Sequence, residues 1–191
     1  SSANDTYTVE KIDSAISIDV TPDAIKTDEN ATVTVNVDGS GIVTFTVNGI
    51  KTNVSVDGGV AKLTIGKLAK GTTVISAEYL GDGKYNRIES QEITLTVNPV
   101  TDYDFTLEIA NITVGEKAIA YVFLPGDATN KTNITVKLGD EIVLSENMTL
   151  KLTIPDLTVG TYNITARYYG DSKYDEKTIE IIPLKKFTTC K

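Results

Sequence analysis

Residues 62–86 read KLTIGKLAKGTTVISAEYLGDGKYN, and residues 151–175 read KLTIPDLTVGTYNITARYYGDSKYD. The two stretches align without a gap at an offset of 89 residues, and 14 of their 25 positions are identical. A match of this length within one chain indicates a duplicated domain rather than a shared composition. The 191 residues therefore consist of two copies of one unit.

Each copy is a series of short segments in which apolar and polar residues alternate, separated by turn formers such as Asn48-Gly49. Alternation with a period of two is typical of strands with one buried face, and no segment sustains the 3.6-residue period of a helix. The pattern predicts an all-β fold of two tandem immunoglobulin-like sandwiches, each with about seven antiparallel strands. The predicted strands lie near 15–20, 31–37, 42–48, 51–56, 60–65, 72–80 and 91–97, and then near 104–109, 117–124, 131–138, 141–145, 148–154, 161–169 and 177–183.

These segments define the predicted domain boundaries. The first Ig-like domain spans 15–98 and the second spans 102–184, with 99–101 as a short linker and with 1–14 and 185–191 as tails. The N-terminus lacks the charged-then-apolar pattern of a signal peptide, and no stretch approaches the roughly 18 to 20 apolar residues that a membrane span needs. We interpret the chain as a segment of something longer or as a mature piece.

The composition excludes several classes of chemistry. The chain has no His, no Trp and one Cys, and its 26 acidic and 18 basic side chains give a formal net charge of −8. Without His there is no Ser-His-Asp or Cys-His hydrolase and no His-ligated metal or haem. The single Cys190 forms no intrachain disulfide and either remains a free thiol or joins two chains. The acidic balance argues against binding to nucleic acid or an anionic membrane.

Asn-X-Ser/Thr triplets are unusually frequent. They occur at eight of the twelve asparagines: Asn4, Asn30, Asn53, Asn111, Asn130, Asn133, Asn147 and Asn163. One interpretation is N-glycosylation of an exported surface protein. The other is that strand alternation, which puts positions i and i+2 on one polar face, generates such triplets by itself.

The block Leu157-x-x-Gly160-Thr161-Tyr162-x-Ile164-x-Ala166-x-Tyr168-Tyr169-Gly170-Asp171-x-x-Tyr174 resembles the closing strands of bacterial Ig-like repeats in large prokaryotic surface proteins. It is especially similar to the adhesin-like proteins of methanogenic archaea. The first copy departs from the block at Thr73, where the second has Tyr162. The resemblance implies a cell-surface, extracellular setting and a role in cell adhesion.

The Tyr-x-Gly-Asp-x-x-Tyr part of the block is predicted to be a structural turn. We expect its Asp to accept backbone N–H bonds while its tyrosines cover the end of the sandwich. The residues are Tyr79, Gly81, Asp82 and Tyr85 in the first copy, and Tyr168, Gly170, Asp171 and Tyr174 in the second. The alternative is a calcium site at the domain tip that uses Asp82 or Asp171 with neighbouring loop acids such as Asp38 and Asp57, although no loop has the spacing of a known calcium motif.

One strand differs between the copies. Residues 31–37, ATVTVNV, alternate cleanly, whereas residues 118–124, AIAYVFL, are apolar on both faces. If one face packs in the core, the other exposes Ile119, Tyr121 and Phe123, or their neighbours in the strand, for a contact outside that core. The other face would contact either a neighbouring domain or loop, or a binding partner, in which case it is an interaction patch.

These observations favour a non-enzymatic stalk or binding module of a cell-surface adhesin, without a cofactor. The expected partners are an unknown surface protein or glycan of another cell and neighbouring Ig-like repeats of the same chain. The alternative is a carbohydrate-binding or accessory module of a secreted enzyme, against which the lack of Trp counts. A hydrolase with paired carboxylates and an internal Lys-Asn or Thr-Gln cross-link are both disfavoured, since the acids lie in predicted turns and Gln91 is the only glutamine.

Overall fold

The structure, a computed structural model, describes residues 8–129, 131, 134–139, 141–143, 151–154 and 157–188. The chain divides into two compact units, Ser1–Asn98 and Pro99–Lys191. The described residues of both units form strands and turns, and none of them belongs to a helix that could cross a membrane. This confirms the predicted all-β class.

The first unit is a sandwich of two sheets. Its strands are β1 Ile16–Thr21, β2 Ala24–Lys26, β3 Asn30–Val37, β4 Gly41–Val47, β5 Ile50–Val56, β6 Val60–Gly66, β7 Gly71–Tyr79, β8 Ile88–Glu89 and β9 Ile93–Asn98. The smaller sheet has the order β1-β3-β6, and the larger has the order β2-β9-β7-β4-β5, with β8 added to β7. Asn48 and Gly49 both have positive φ in the tight turn between β4 and β5, as the twist of a two-residue hairpin requires.

The second unit repeats this arrangement. Its strands are β10 Thr106–Ile109, β11 Ile112–Thr113, β12 Ile119–Phe123, β13 Ile134–Leu138, β14 Glu141–Val143, β15 Lys151–Thr153, β16 Gly160–Tyr168 and β17 Lys177–Phe187. The smaller sheet is β10-β12-β15, and the larger is β11-β17-β16-β13-β14. Residues 144–150, in which the sequence predicts the end of one strand and the start of the next, lie outside the described residues.

Both cores are built from the inward positions of alternating strands. In β3 the inward residues Ala31, Val33, Val35 and Val37 are buried, and in β16 the residues Ile164, Ala166 and Tyr168 are fully buried. At the start of β16 the Tyr162 hydroxyl donates to the backbone oxygen of Thr158 at 3.0 Å, the contact of a tyrosine corner.

Each sandwich also has a short parallel pairing, whereas the sequence predicts antiparallel strands throughout. β2 pairs in parallel with β9, and β11 pairs in parallel with β17. In the first unit the chain leaves the smaller sheet at Pro22, which has no N–H for the ladder, and continues at the edge of the larger sheet. The alternation of side chains shows which face of a strand is buried but does not show that the strand changes sheets.

Candidate functional site

The Gly-Asp turn of the first domain is organised by the Asp82 carboxylate. Its Oδ1 accepts the backbone N–H groups of Lys84 at 2.8 Å and Tyr85 at 2.7 Å, and its Oδ2 accepts the N–H of Ser40 at 2.9 Å. These bonds, with that from Ser40 first in size, hold the pKa of Asp82 well below its ordinary value. Asp82 thus connects its own turn to the loop between β3 and β4.

Asp171 makes the same set of bonds in the second domain. Its Oδ1 accepts the N–H groups of Lys173 and Tyr174, both at 2.8 Å, and its Oδ2 accepts the N–H of Thr129 at 2.8 Å. Burial raises the pKa of Asp171, but the N–H groups of Tyr174, Thr129 and Lys173 outweigh it, and the net pKa is lowered. The repeated sequence therefore forms the same set of hydrogen bonds to the Asp carboxylate in both domains.

The glycine before each Asp is required by the backbone. Gly81 has φ +80° and Gly170 has φ +79°, in the left-handed region. A Cβ on Gly81 would lie 2.7 Å from the Tyr85 oxygen, and a Cβ on Gly170 would lie 2.6 Å from the Tyr174 oxygen. Both positions therefore exclude any side chain.

The first tyrosines of the two motifs differ in their hydrogen bonds. The buried Tyr79 hydroxyl donates to the backbone oxygen of Ser40 at 2.7 Å. The hydroxyl of Tyr168 is also buried, and within the described part of the chain it has no hydrogen-bond partner. Burial raises the pKa of both phenols, and the nearby carboxylates Asp82 and Asp171 add to this.

The loops above these two tyrosines differ at several positions, and one of these lies next to the hydroxyl in the first domain. Gly39 in the first domain corresponds to Ala128 in the second, at the offset of 89. A Cβ on Gly39 would lie 2.1 Å from the Tyr79 hydroxyl. Ala128 is itself buried, and the Tyr168 hydroxyl makes no bond to the oxygen of Thr129, the counterpart of Ser40.

The second domain has additional contacts around Tyr168 and Tyr174. Tyr103 packs against Tyr174 with 4.8 Å between ring centroids and meets Tyr168 edge-on at 6.3 Å. Burial, followed by the charge of Asp175, raises the pKa of Tyr103 to about 12. The Tyr174 hydroxyl donates to Asp127 at 2.6 Å. Sequence reasoning missed Tyr103 and Asp127 because they lie outside the repeated block.

The carboxylates proposed as calcium ligands are engaged with the protein itself. Asp82 and Asp171 accept backbone N–H groups through both oxygens, and Asp38 accepts the N–H of Ala15 at 2.7 Å. Asp57 lies in the turn before β6, where its backbone pairs with Val60. Among the described residues no three acidic or Cys side chains gather as a metal-binding group. The geometry favours the structural role.

A segment that precedes the first domain docks on its Gly-Asp turn. The Ile12 N–H donates to the oxygen of Lys84 at 2.9 Å, and the Asn86 N–H donates to the oxygen of Ile12 at 2.8 Å, forming a parallel bridge. The Asn86 side chain adds a bond to Asp13 at 3.0 Å. Ile12, which the sequence assigns to a tail, is thus held by the domain.

Val100 takes the same place in the second unit. Its N–H donates to the oxygen of Lys173 at 2.9 Å, and its oxygen accepts the N–H of Asp175 at 3.0 Å. The bridge is again parallel and opposite the second tyrosine of the motif, Tyr174. The predicted linker residue is therefore also paired with the turn of the domain that follows it.

Strand β12 has one buried face and one exposed face, and both carry apolar residues. Ala120 and Val122 are buried, whereas Ile119 is half-buried and Tyr121 and Phe123 expose 42% and 47% of their surface. A groove of about 500 Å³ runs beside this face, lined by Glu108, Ile109, Ala110, Ile112, Lys117, Ile119 and Tyr121. We call Ile119, Tyr121 and Phe123 the β12 face.

The first domain has a polar surface at the same place. Thr32, Thr34 and Asn36 of β3 point outward there, while their neighbours in the strand fill the core. The sandwich of the first domain therefore forms without apolar residues at these positions. The β12 face is a property of the second domain alone.

The sequence analysis did not predict the ion pair that lies on the outer face of each larger sheet. Arg87 contacts Glu78 at 2.5 Å and Glu89 at 2.9 Å in the first domain, and Arg167 contacts Glu176 at 2.5 Å in the second. Arg167 also lies over the ring of Tyr169, 4.7 Å from its centroid. The signal was present in the sequence as opposite charges at an offset of 89, but only the strand geometry shows that the charges meet.

The candidate glycosylation sites that the structure describes are accessible. Asn30, Asn53, Asn111 and Asn163 are all exposed. The side-chain oxygen of Asn53 accepts from Thr44 at 2.8 Å, and that of Asn111 accepts from the Lys185 N–H at 3.0 Å. Four further sites lie outside the described residues, namely Asn4, Asn130, Asn133 and Asn147, as does Cys190.

Two sheets with these strand orders, a tyrosine corner and a short edge strand that changes sheets define the immunoglobulin-like β-sandwich class. Residues 18–98 match the family described as bacterial Ig-like domain (group 3). The match covers 81 of the 191 residues and lies within the first unit. No curated protein matches the chain.

Solved structures of similar fold come from varied settings. The fibronectin(III)-like modules of Clostridium thermocellum CbhA are 15% identical, with 91% of this chain and 94% of that chain covered and a TM-score of 0.37. The titin domains Z1Z2, in complex with telethonin, are 15% identical, with coverage of 95% and 100% and a TM-score of 0.46. The Escherichia coli adhesin FdeC is 16% identical, with coverage of 90% and 64% and a TM-score of 0.32. At these identities the similarity concerns the fold alone.

Proposed function

We propose that this chain is a non-enzymatic segment of a cell-surface, adhesin-like protein, in which two Ig-like domains act as a stalk and the second also acts as a binding module. The match of residues 18–98 to bacterial Ig-like domains supports the class. The resemblance of the 157–174 block to methanogen adhesin-like proteins supports the archaeal surface setting, and the exposed Asn-X-Ser/Thr sites agree with export.

The observation that carries the binding role is the difference between the two domains at one surface. Tyr121 and Phe123 are exposed in the second domain, where the first has Thr34 and Asn36. Exposed aromatic side chains next to a groove are typical of recognition surfaces, because each ring supplies a large contact area at a small entropic cost. The partner in this proposal is a surface protein or a glycan of another cell.

The test replaces the β12 face while leaving the core unchanged. We expect Tyr121→Ser with Phe123→Ser to retain the urea unfolding profile and to lose attachment to partner cells. The matched control, Thr34→Ser with Asn36→Ser at the corresponding positions of the first domain, should retain both. If the Tyr121→Ser, Phe123→Ser variant attaches to cells as before, the binding role is wrong. If this variant unfolds, the two aromatic side chains stabilise the fold instead of binding a partner.

A second candidate is a carbohydrate-binding or accessory module of a secreted enzyme. The same two aromatic rings favour it, because they stand two residues apart on one strand face, flanked by Glu108 in β10 opposite Tyr121. A glycan array separates the candidates. Specific micromolar binding that the Tyr121→Ser, Phe123→Ser variant loses favours the carbohydrate module, and attachment to cells without glycan binding favours a protein partner.

A further inference from the structure

The groove beside the β12 face carries one carboxylate and one ammonium group. Glu108 lies in β10 directly opposite Tyr121, and Lys117 precedes Tyr121 by four residues on the same outward side of the chain. Four residues of extended chain span about 13 Å. Both charged side chains are exposed and line the groove, and Ile119 lies between Lys117 and Tyr121 along the strand. Apolar surface therefore separates two opposite charges.

Neither charge is neutralised by an ion pair within the described part of the chain. The ion pairs there join Arg87, Arg167 and Lys173 to acids of their own surroundings, and none includes Glu108 or Lys117. The two groups are also too far apart to pair with each other, since an ion pair needs about 4 Å or less between its atoms. Both groups can therefore contact a partner.

The first domain does not repeat this arrangement. Asp19 takes the place of Glu108, because it lies opposite Thr34 in β3. Asn30, four positions before Thr34, takes the place of Lys117. The acid is thus present in both domains, whereas the base accompanies the exposed aromatic residues of the second domain.

A surface with this distribution of charge is complementary to itself. When two copies pack their β12 faces together about a twofold axis that passes between Glu108 and Lys117, each carboxylate meets the ammonium group of the other copy. The interface then contains two ion pairs, with Ile119 of both copies between them. An apolar centre with charged groups at its rim is the usual composition of a protein interface, and the charges fix its register.

We propose that the β12 face binds the β12 face of a second copy of this chain, with Glu108 of each copy paired with Lys117 of the other. This inference rests on the proposed function and names its partner: the surface protein of the other cell is the same protein, so attachment is homophilic. Removal of Ile119 and Tyr121 from water supplies the apolar driving force.

Charge reversal in the full chain tests this pairing. Sedimentation equilibrium should show a concentration-dependent dimer of the parent chain. Glu108→Lys brings two ammonium groups together at each contact, and Lys117→Glu brings two carboxylates together. Either variant alone should raise the dissociation constant of the dimer about tenfold or more, because a twofold interface contains each contact twice. An equimolar mixture of the two variants should restore the dimer, since every contact then joins a Lys to a Glu.

Asp19→Lys and Lys62→Glu are the matched controls. They make the same two changes of charge at exposed positions in the smaller sheet of the first domain. Each control alone should keep the dissociation constant of the parent chain, and a mixture of the two should not differ from either. All four variants should keep the urea unfolding profile of the parent, because each replaces an exposed side chain.

Two results overturn the inference. One is a parent chain that stays monomeric at about 1 mM. The other is a mixture of Glu108→Lys and Lys117→Glu that is no more dimeric than its components, because these two groups then do not face each other.

Failure of the proposed function gives a different result. If a monomeric parent chain attaches to cells that do not display it, and Tyr121→Ser with Phe123→Ser abolishes that attachment, the proposed function stands and the homophilic pairing is wrong. If the mixture restores the dimer but beads coated with the parent chain do not adhere to one another, the pairing stands and the adhesive role is wrong.

Discussion

The Arg87 guanidinium lies 2.5 Å from the Glu78 carboxylate, and the second domain reverses the two charges at the same positions. Glu78 corresponds to Arg167 and Arg87 corresponds to Glu176, which form their own ion pair at 2.5 Å. A change of only one of the two charges would place like charges side by side, whereas the reversal of both keeps an ion pair. The two copies thus record a compensated exchange on the outer face of the larger sheet.

This exchange can be repeated in the first domain. Arg87→Glu would bring a third carboxylate to Glu78 and Glu89, and we expect a loss of about 0.5–1 kcal/mol in the free energy of unfolding, the range of exposed pairs. Adding Glu78→Arg recreates the arrangement of the second domain and should recover at least half of that loss. Hydrogen exchange of the β7 amides measures the first domain separately. Equal stability of the single and double variants would show that the pair contributes nothing.

The glycine of the Gly-Asp turn offers a sharper test of the motif. Gly81→Ala should destabilise the first domain by about 2 kcal/mol or more, because its φ is in the left-handed region and its Cβ would meet the Tyr85 oxygen at 2.7 Å. Gly83→Ala, two residues further on, is the control, since its Cβ meets nothing within 4 Å. Urea unfolding compares the two. Similar losses from both variants would mean that the turn tolerates a side chain.

How far the sequence predicts the structure depends on what the repeat contains. The aligned block is sufficient to locate the turns around Asp82 and Asp171, because each Asp accepts the N–H groups of residues two and three positions further along the same block. Alternation in residues 118–124 indicates that one apolar face of the strand lies outward, but it does not show which face. The burial of Ala120 and Val122 in the structure places Tyr121 and Phe123 on the outward face.

Features that depend on contacts between residues far apart in the chain could not be predicted from the sequence. The parallel pairing of β2 with β9 requires the chain to move from one sheet to the other. The alternation of apolar and polar residues does not indicate such a change. The bridges of Ile12 and Val100 join segments more than 70 residues apart through backbone atoms, which carry no residue-specific signal. The different hydrogen bonding of the Tyr79 and Tyr168 hydroxyls depends on loops outside the repeated block, where Gly39 corresponds to Ala128.

The two hydroxyls predict different responses to one substitution in the two domains. Tyr79→Phe removes a 2.7 Å bond to the Ser40 oxygen and should destabilise the first domain by about 1 kcal/mol. Tyr168→Phe removes a buried hydroxyl that lies near the Asp171 carboxylate but makes no well-formed hydrogen bond, so the second domain should lose less stability than the first. Domain-resolved hydrogen exchange reads both effects. A comparable loss in the second domain would show that the Tyr168 hydroxyl is bonded after all.

The lowered pKa of Asp82 predicts how the first domain responds to acid. Because the pKa is lower in the folded state than the 3.8 of an unperturbed Asp, the unfolded state binds more protons as the pH falls. The stabilisation from the charged carboxylate is complete above about pH 5, since the unfolded group is then ionised, and it is lost progressively as the pH falls below 4 toward the folded pKa. Asp82→Asn keeps one acceptor oxygen but no charge. We expect it to be less stable at pH 7 and to show a shallower decline between pH 5 and pH 2.

Asp57→Asn is the matched control for this experiment, because it removes the same charge from an exposed turn of the same domain. Its slope with pH serves as the reference with which the slope of Asp82→Asn is compared. Urea unfolding at successive pH values, with hydrogen exchange at β3 and β7 as the probe of the first domain, gives both slopes. If Asp82→Asn loses stability below pH 4 as steeply as Asp57→Asn does, the acid response arises elsewhere, and the three N–H bonds to Asp82 are not its cause.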